Sequence, residues 1–261
     1  MFEIGGMNRE NIELILGNNI TLVGRSKDDN GGEDNNNSII KLEKGKLTML
    51  NGSKITGNAS TASSILEGGG AAVYLSDGNL TMKEGSSITG NKATFNSSSF
   101  TGVIVAGLCH GGSFYTTINM EGGSITGNTA MNGDVDINCN ISLSGNATIG
   151  ELKIISFDPN NSPLLRPVIV NSGWTGTIGK LNLEGGTTSI TFYDMPATIA
   201  CWVNNPVIKA ASGYILQTSD VEKILSFGNF YSTSSYITPQ AISEGYKIEK
   251  TGGDIGKLIA K

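Results

Sequence analysis

Leu47-Thr48-Met49-Leu50-Asn51-Gly52-Ser53-Lys54-Ile55-Thr56-Gly57-Asn58-Ala59 recurs as Leu80-Thr81-Met82-Lys83-Glu84-Gly85-Ser86-Ser87-Ile88-Thr89-Gly90-Asn91, with Ala93 close behind. A third copy runs Ile118-Asn119-Met120-Glu121-Gly122-Gly123-Ser124-Ile125-Thr126-Gly127-Asn128-Thr129-Ala130. The Ile-Thr-Gly-Asn quartets inside these copies lie 33 and then 37 residues apart. Self-similarity at a period of this size marks a repeat architecture. A constant local unit with a variable period predicts insertions at one fixed loop.

Within each copy the apolar residues alternate at period two, as they do in a strand with one buried face. The inward sets are Ile40/Leu42, Leu47/Met49 and Ile55, then Val73/Leu75, Leu80/Met82 and Ile88. Less regular copies give Val135/Ile137, Ile141/Leu143 and Ile149, and then Leu152/Ile154, Val168/Val170 and Ile178. Each unit therefore reads as three short strands separated by Gly, Asn, Ser or Asp turns, with a minimal unit of about 20 residues. Strands this short bury no face alone, and unit stacked on unit supplies the missing partners. Hairpins of a sandwich or barrel favour longer strands with Asn-Gly or Asp-Gly turns at alternate connections. Here Asn51-Gly52 and Asp77-Gly78 fall at turns inside a recurring three-strand unit. The reading is an all-β, right-handed, single-stranded parallel β-helix of eight or nine rungs, roughly 40 Å of axis at the interstrand spacing.

Outward from these copies the pattern loosens. Ile12/Leu14/Leu16 and Ile20/Leu22 form an earlier rung, followed by a loop from Ser26 to Asn37 that is solvated or disordered on composition. Either Val103-Ile104-Val105 or Gly111-Gly112-Ser113-Phe114 supplies the first strand of the rung between Phe100 and Thr117. Residues 1–185 read as the repeat region, and 186–261 as a degenerate continuation with a C-terminal cap. In that cap Ser219-Asp220-Val221-Glu222 is a capping box before a short helix ending near Leu225, and Gly252-Gly253 turns a final hairpin.

Composition agrees with a Gly- and Asn-punctuated β protein. Of 261 residues 36 are Gly and 26 Asn, only 6 are Pro, and 16% are charged. Collagen needs Gly at every third position with abundant Pro, and helical bundles are rich in Ala, Glu, Lys and Leu. A hydrophobic fraction of 38% is too high for a disordered chain. The net charge of −5 offers no footprint for nucleic acid, whose phosphates demand clustered Lys and Arg. Cys109, Cys139 and Cys201 are odd in number and widely spaced, which excludes a disulfide framework and a cysteine zinc site. No apolar run is long enough to span a membrane as a helix, and no secretory signal is visible after Met1. The chain is thus expected to be cytoplasmic or part of a longer exported one.

Several residues invite chemistry. Asn58, Asn91 and Asn128 follow Gly at equivalent positions and read as a structural Asn ladder, each amide bonding backbone of neighbouring rungs. His110 is the sole histidine, so any serine or cysteine nucleophile would depend on it, and its neighbour Cys109 has no third group to orient the pair. Carboxylates are the stronger enzyme candidates on this fold. Glu84 and Glu121 sit four residues before Ile88 and Ile125, with Asn51 in the rung before, so stacking offers a shared cation site. Asp134 and Asp136 point outward if Val135 and Ile137 point inward. The competing reading, favoured for both pairs, is a solvated turn and a polar strand face. Trp174, Trp202, Tyr74, Phe114 and Tyr115 are too scattered for a sugar-stacking platform. The outward threonines Thr48, Thr81, Thr56, Thr89 and Thr126 raise an ice-binding array, but Asn119 and Ser142 interrupt the rank.

With Gly69-Gly70-Ala71-Ala72-Val73 and the Ile-Thr-Gly-Asn quartets, residues 11–185 resemble the β-helix repeats of bacterial surface proteins. These are the polymorphic outer-membrane proteins and autotransporter-passenger-like repeats. Their hallmarks are a Gly-Gly-Ala-aliphatic tetrapeptide, matched here with Ala72 intervening, and a Phe-x-x-Asn tetrapeptide, matched with Ile for Phe at 55–58, 88–91 and 125–128. The stretch from Trp174 to Leu183 looks like the region that follows such repeats. The resemblance implies an exposed or secreted bacterial coil; the shared motifs are structural and carry no catalytic residue.

The expected function is structural or adhesive, without catalysis. Glycans or host cell-surface proteins would be met by the loops Ala59–Gly68, Lys92–Thr101 and Phe157–Pro167, with no cofactor, metal or nucleic acid involved. The alternative is a carbohydrate-active β-helix lyase or hydrolase working through Glu84, Glu121, Asp134 and Asp136.

Overall fold

The computed structural model describes residues 2–4, 12–27, 34–35, 37–61, 70–94, 102–106, 116–130, 133–137, 139–155, 168–184, 189–192, 202–203, 207–210, 230–231, 246–252 and 255–260. Among them every regular element is a strand. The first coil holds β1 (Phe2–Ile4), β2 (Glu13–Leu16) and β3 (Thr21–Val23). The second holds β4 (Ile40–Leu42), β5 (Gly45–Met49) and β6 (Lys54–Thr56), with the two-residue β7 (Ala59–Ser60) after it. The third repeats this as β8 (Val73–Leu75), β9 (Gly78–Met82), β10 (Ser87–Thr89) and β11 (Lys92–Ala93). The fourth comprises β12 (Ile104–Ala106), β13 (Thr117–Met120) and β14 (Ser124–Ile125). In the fifth, β15 (Val135–Ile137) and β16 (Asn140–Leu143) lead into β17 (Thr148–Ile155), which ends that coil and opens the next. There β18 (Val168–Val170) precedes β19 (Ile178–Glu184), which again serves two coils; β20 (Ser189–Phe192), β21 (Trp202–Val203) and β22 (Val207–Ala210) follow.

Pairing between coils is parallel throughout this stack and defines three faces. Face one runs β1, β4, β8, β12, β15, β17, β19 and β21, so the described residues build eight coils. Face two is the eight-stranded sheet from β2 to β22. Face three runs β3, β6, β10, β14 and the first residues of β17 and β19. Strands stacked in parallel sheets, with all three faces present in each of the first six coils, make the chain a parallel β-helix solenoid.

Register puts like on like. Leu47 pairs Leu80 and Met49 pairs Met82, Met82 pairs Met120, and Ile55, Ile88, Ile125, Ile149 and Ile178 form one interior column. The inward residues of coils two to five are buried, most of them completely. Removing about 25 cal/mol of unfavourable hydration per Å² of apolar surface, repeated down five such columns, is what holds the coil closed. The strand at Ile104–Ala106 fills the rung for which two segments competed; Gly111 to Phe114 lie outside the described residues.

Three differences from the sequence reading emerge. Insertions leave at two corners rather than one: between faces three and one after β6 and β10, and between faces one and two after β12 and β17. Both corners contribute to the unequal repeat spacing. The first coil also begins earlier than Ile12, because Phe2–Ile4 pairs in register with Ile40–Leu42. Finally, the outer side of face one is covered in its middle coils. Tyr74 is 3% exposed, Val105 0% and Lys153 7%, although each alternates with an inward neighbour.

Past the stack, β23 (Phe230–Tyr231), β24 (Tyr246–Gly252) and β25 (Ile255–Ala260) form a small antiparallel sheet. The final hairpin joins β24, ending at Gly252, to β25, starting at Ile255; Gly253 of the expected turn lies outside the described residues. The helix expected before Leu225 lies outside the described residues.

Candidate functional site

Asn58, Asn91 and Asn128 lie directly after face three, where Gly57, Gly90 and Gly127 turn the chain with positive φ. They form one polar column through the wall of the coil. The Asn58 N–H donates to Asn91 Oδ1 at 3.1 Å and the Asn91 N–H to Asn128 Oδ1 at 3.0 Å. Two of the amide nitrogens work sideways and downward: Asn91 Nδ2 donates to the Ile55 and Thr89 carbonyls, and Asn128 Nδ2 to those of Ile88 and Thr126, whereas Asn58 Nδ2 donates to the Asn37 and Ala71 carbonyls. Asn58 and Asn91 are each 1% exposed, so the column answers backbone groups that water does not reach.

The column continues into Asp134. Its Oδ1 accepts the Asn128 N–H at 3.2 Å and Asn128 Nδ2 at 2.8 Å, while Oδ2 accepts the Glu151 N–H at 2.9 Å. Coil five passes from face three to face one through Gly150 and Glu151 without a turn, so it has no asparagine to offer. A carboxylate can meet N–H donors with both oxygens, which an amide cannot. Asp134 is 6% exposed, not the solvated outward carboxylate that strand alternation suggested. Burial raises its carboxyl above the ordinary range, against the opposing pull of the Asn128 and Glu151 hydrogen bonds. Asp136, its supposed partner, sits on face one in register with Val105 and Lys153.

Glu84 and Glu121 occupy the corner between faces two and three but do not share a slot. Met82 pairs Met120, so Lys83 rather than Glu84 falls opposite Glu121. The Lys83 ammonium bridges to Glu121 Oε2 at 2.5 Å, and Asn119 Nδ2 donates to Glu121 Oε1 at 3.0 Å. Glu84 lies beside Gly122 and its Oε1 takes a long 3.5 Å hydrogen bond from Asn146 Nδ2. The cause is a corner one residue shorter in coil four, where Gly122 and Gly123 turn at φ +147° and +77°. The signal was present in the sequence, since Met82 to Ile88 is one residue longer than Met120 to Ile125.

Other charges are likewise paired, within a coil or across neighbouring ones. Lys180 bridges to Glu151 at 2.6 Å, and Lys41 contacts Glu43 at 2.7 Å and Glu3 at 3.8 Å. The hydrogen bond to Glu43 is the main cause holding Lys41 above its ordinary value, with burial opposing it. Among the described residues no group of three or more His, Cys, Asp or Glu converges as a metal site. Trp174 is buried, its indole N–H donating to the Ala147 carbonyl at 2.8 Å, and Tyr74 is buried too. Thr56 and Thr89 are register partners on face three, with Thr126 directly after β14, while Thr48 and Thr81 are register partners on face two. Cys109, His110, Phe114, Tyr115 and Cys201 lie outside the described residues, and so do most of the three loops at 59–68, 92–101 and 157–167. No helix among the described residues is long and apolar enough to cross a membrane.

No protein-family model matches the chain, and neither a curated protein nor a solved structure matches it.

Proposed function

We propose that this chain is a non-catalytic, rigid β-helix shaft of a bacterial surface or secreted protein, meeting glycans or host surface proteins through loops at its corners. The observation that carries the reading is how the charged candidates are used. Asp134 ends the hydrogen-bonded column, and Glu121 is held by Lys83 and Asn119. These groups brace neighbouring coils, whereas a glycosidase needs two carboxyl groups facing one bond at about 5 Å or somewhat more. The insertions after β6, β10, β12 and β17 leave from a stack whose inner columns keep their register, the division of labour of a scaffold bearing variable loops.

A glycan-array screen run beside polysaccharide-cleavage assays tests this, using wild type and a Glu84→Ala/Glu121→Ala double variant. Binding without turnover, unchanged in the double variant, is the expected result. Turnover that the double variant loses would replace the shaft reading with the lyase or hydrolase one.

A further inference from the structure

At the corner between faces two and three the first coil departs from those stacked on it. Asn19 takes a left-handed conformation, φ +61°, at the turn position that Gly52 and Gly85 fill in the next two coils. Its side-chain oxygen lies over Gly52, where a Cβ would stand 2.2 Å from it, and the side chain makes no hydrogen bond among the described residues. Asn19 opens the tripeptide Asn19-Ile20-Thr21, an Asn-x-Ser/Thr acceptor sequence for N-linked sugar. Six such tripeptides lie wholly among the described residues, beginning at Asn19, Asn51, Asn58, Asn79, Asn140 and Asn146. In the last five some member is withdrawn from solvent: Ser53, Asn58, Leu80, Ile141 and Ala147 are buried. In Asn19-Ile20-Thr21 all three residues are exposed. Around this tripeptide the wall of the coil turns apolar. Ile15 and Val23 stand where the next coil places Thr48 and Thr56, and with Ile12 and Ile20 they are exposed.

We propose that the folded chain accepts an N-linked sugar at Asn19, delivered from a diphosphate-activated sugar by a separate transferase. Asn19 Nδ2 attacks the anomeric carbon of that sugar. The N–C bond forms, the bond from the anomeric carbon to the diphosphate oxygen breaks, and the diphosphate leaves with the electron pair. The amide gives up one proton to a base of the transferase, so atoms and charge balance. Thr21 supplies the hydroxyl of the acceptor sequence and is open to solvent beside it. The C–H faces of the attached sugar would take the surrounding isoleucine and valine surface out of water. Asn58, by contrast, is 1% exposed and its amide nitrogen is committed to the Asn37 and Ala71 carbonyls, so a sugar there would break the column. Transfer therefore follows folding, and the built corner selects the site. The proposal stands apart from the shaft reading, since a catalytic β-helix could carry the same sugar.

The test is a glycopeptide map of the full chain recovered from the cells that make it. Trypsin releases residues 10–25, in which Asn19 opens the sole acceptor sequence, and residues 55–83, which hold those of Asn58 and Asn79. The first peptide is expected to exceed its sequence mass by at least one hexose or N-acetylhexosamine, with fragmentation placing the sugar on Asn19. The second is expected to be bare. Thr21→Val should abolish the addition and Thr21→Ser should keep it. Asn19→Gly, which retains the left-handed turn, should remove the sugar and leave the fold intact. An unmodified first peptide in the wild type overturns the proposal, and so does a sugar that survives Thr21→Val. Sugar on Asn58 overturns it too, because it would show transfer to the unfolded chain with no selection by the exposed corner.

Discussion

Asn91 serves two neighbouring coils at once, since its Oδ1 receives the Asn58 N–H while its Nδ2 reaches back to the Ile55 carbonyl and across to Asn128 Oδ1. Truncating it strands buried backbone groups, each costing about 1–3 kcal/mol. Asn91→Ala is therefore expected to lower unfolding stability in urea by about 3 kcal/mol, while Asn51→Ala, at an exposed corner, changes it by less than about 0.5 kcal/mol. Equal effects would mean that the column is decoration. Asp134 carries a pH signature of the opposite sense to most carboxylates. Its folded value lies above the ordinary 3.8, so the folded chain binds this proton more tightly than the unfolded chain. The stabilisation is full below the ordinary value and is lost as pH rises through the folded one. Measured by urea titration, wild-type stability minus that of Asp134→Asn should fall on raising the pH from about 3 through the mildly acidic range, then level off. A difference that grows with pH would contradict the burial argument.

At the scale of elements, corner length decides what meets what. The shortened corner at Gly122-Gly123 slides Glu121 onto Lys83, making an ion pair whose side chains are each 41% exposed. Exposed pairs are worth between nothing and about 1 kcal/mol, so Lys83→Ala should cost less than that, and the loss should shrink further in high salt. Gly176 shows the tighter kind of constraint, because a Cβ there would stand 1.7 Å from the Ala147 carbonyl oxygen that Trp174 also uses. Gly176→Ala is expected to lower stability by about 3 kcal/mol and to loosen the Trp174 indole, visible as a red shift of its fluorescence. Strands with strict alternation were legible in the sequence: every inward pair from Ile40/Leu42 to Val168/Val170 falls where period two puts it. Alternation reports which way a side chain points, but not what covers it. That is why Tyr74, Val105, Asp134 and Lys153, outward by parity, were not recognisable as buried. The Glu84 and Glu121 alignment failed for a related reason, since counting from one strand ignores a residue missing from the corner before it.

The whole molecule is a one-dimensional stack in which each coil rests on its neighbours, so stability is graded along the axis. The large exposed hydrophobics among the described residues all belong to the first coil: Phe2 50%, Ile12 38%, Ile15 54%, Ile20 48% and Val23 69%. Amide hydrogen exchange should accordingly be fastest in β1–β3 and slowest in β8–β10 and β13–β16, and uniform protection along the axis would show that the end coils are held by something other than stacking. The asparagine column adds a direction to this stack. Every backbone N–H in it points toward an oxygen of the following coil, until Asp134 accepts from both sides and closes the series. A duplicated third coil spliced in behind the original would offer Asn91 oxygen to Asn91 amide and read through without a fault. The same splice after Asp134 would set acceptor against acceptor. The chain thus carries its own grammar for lengthening: extension is permitted before the full stop and forbidden after it.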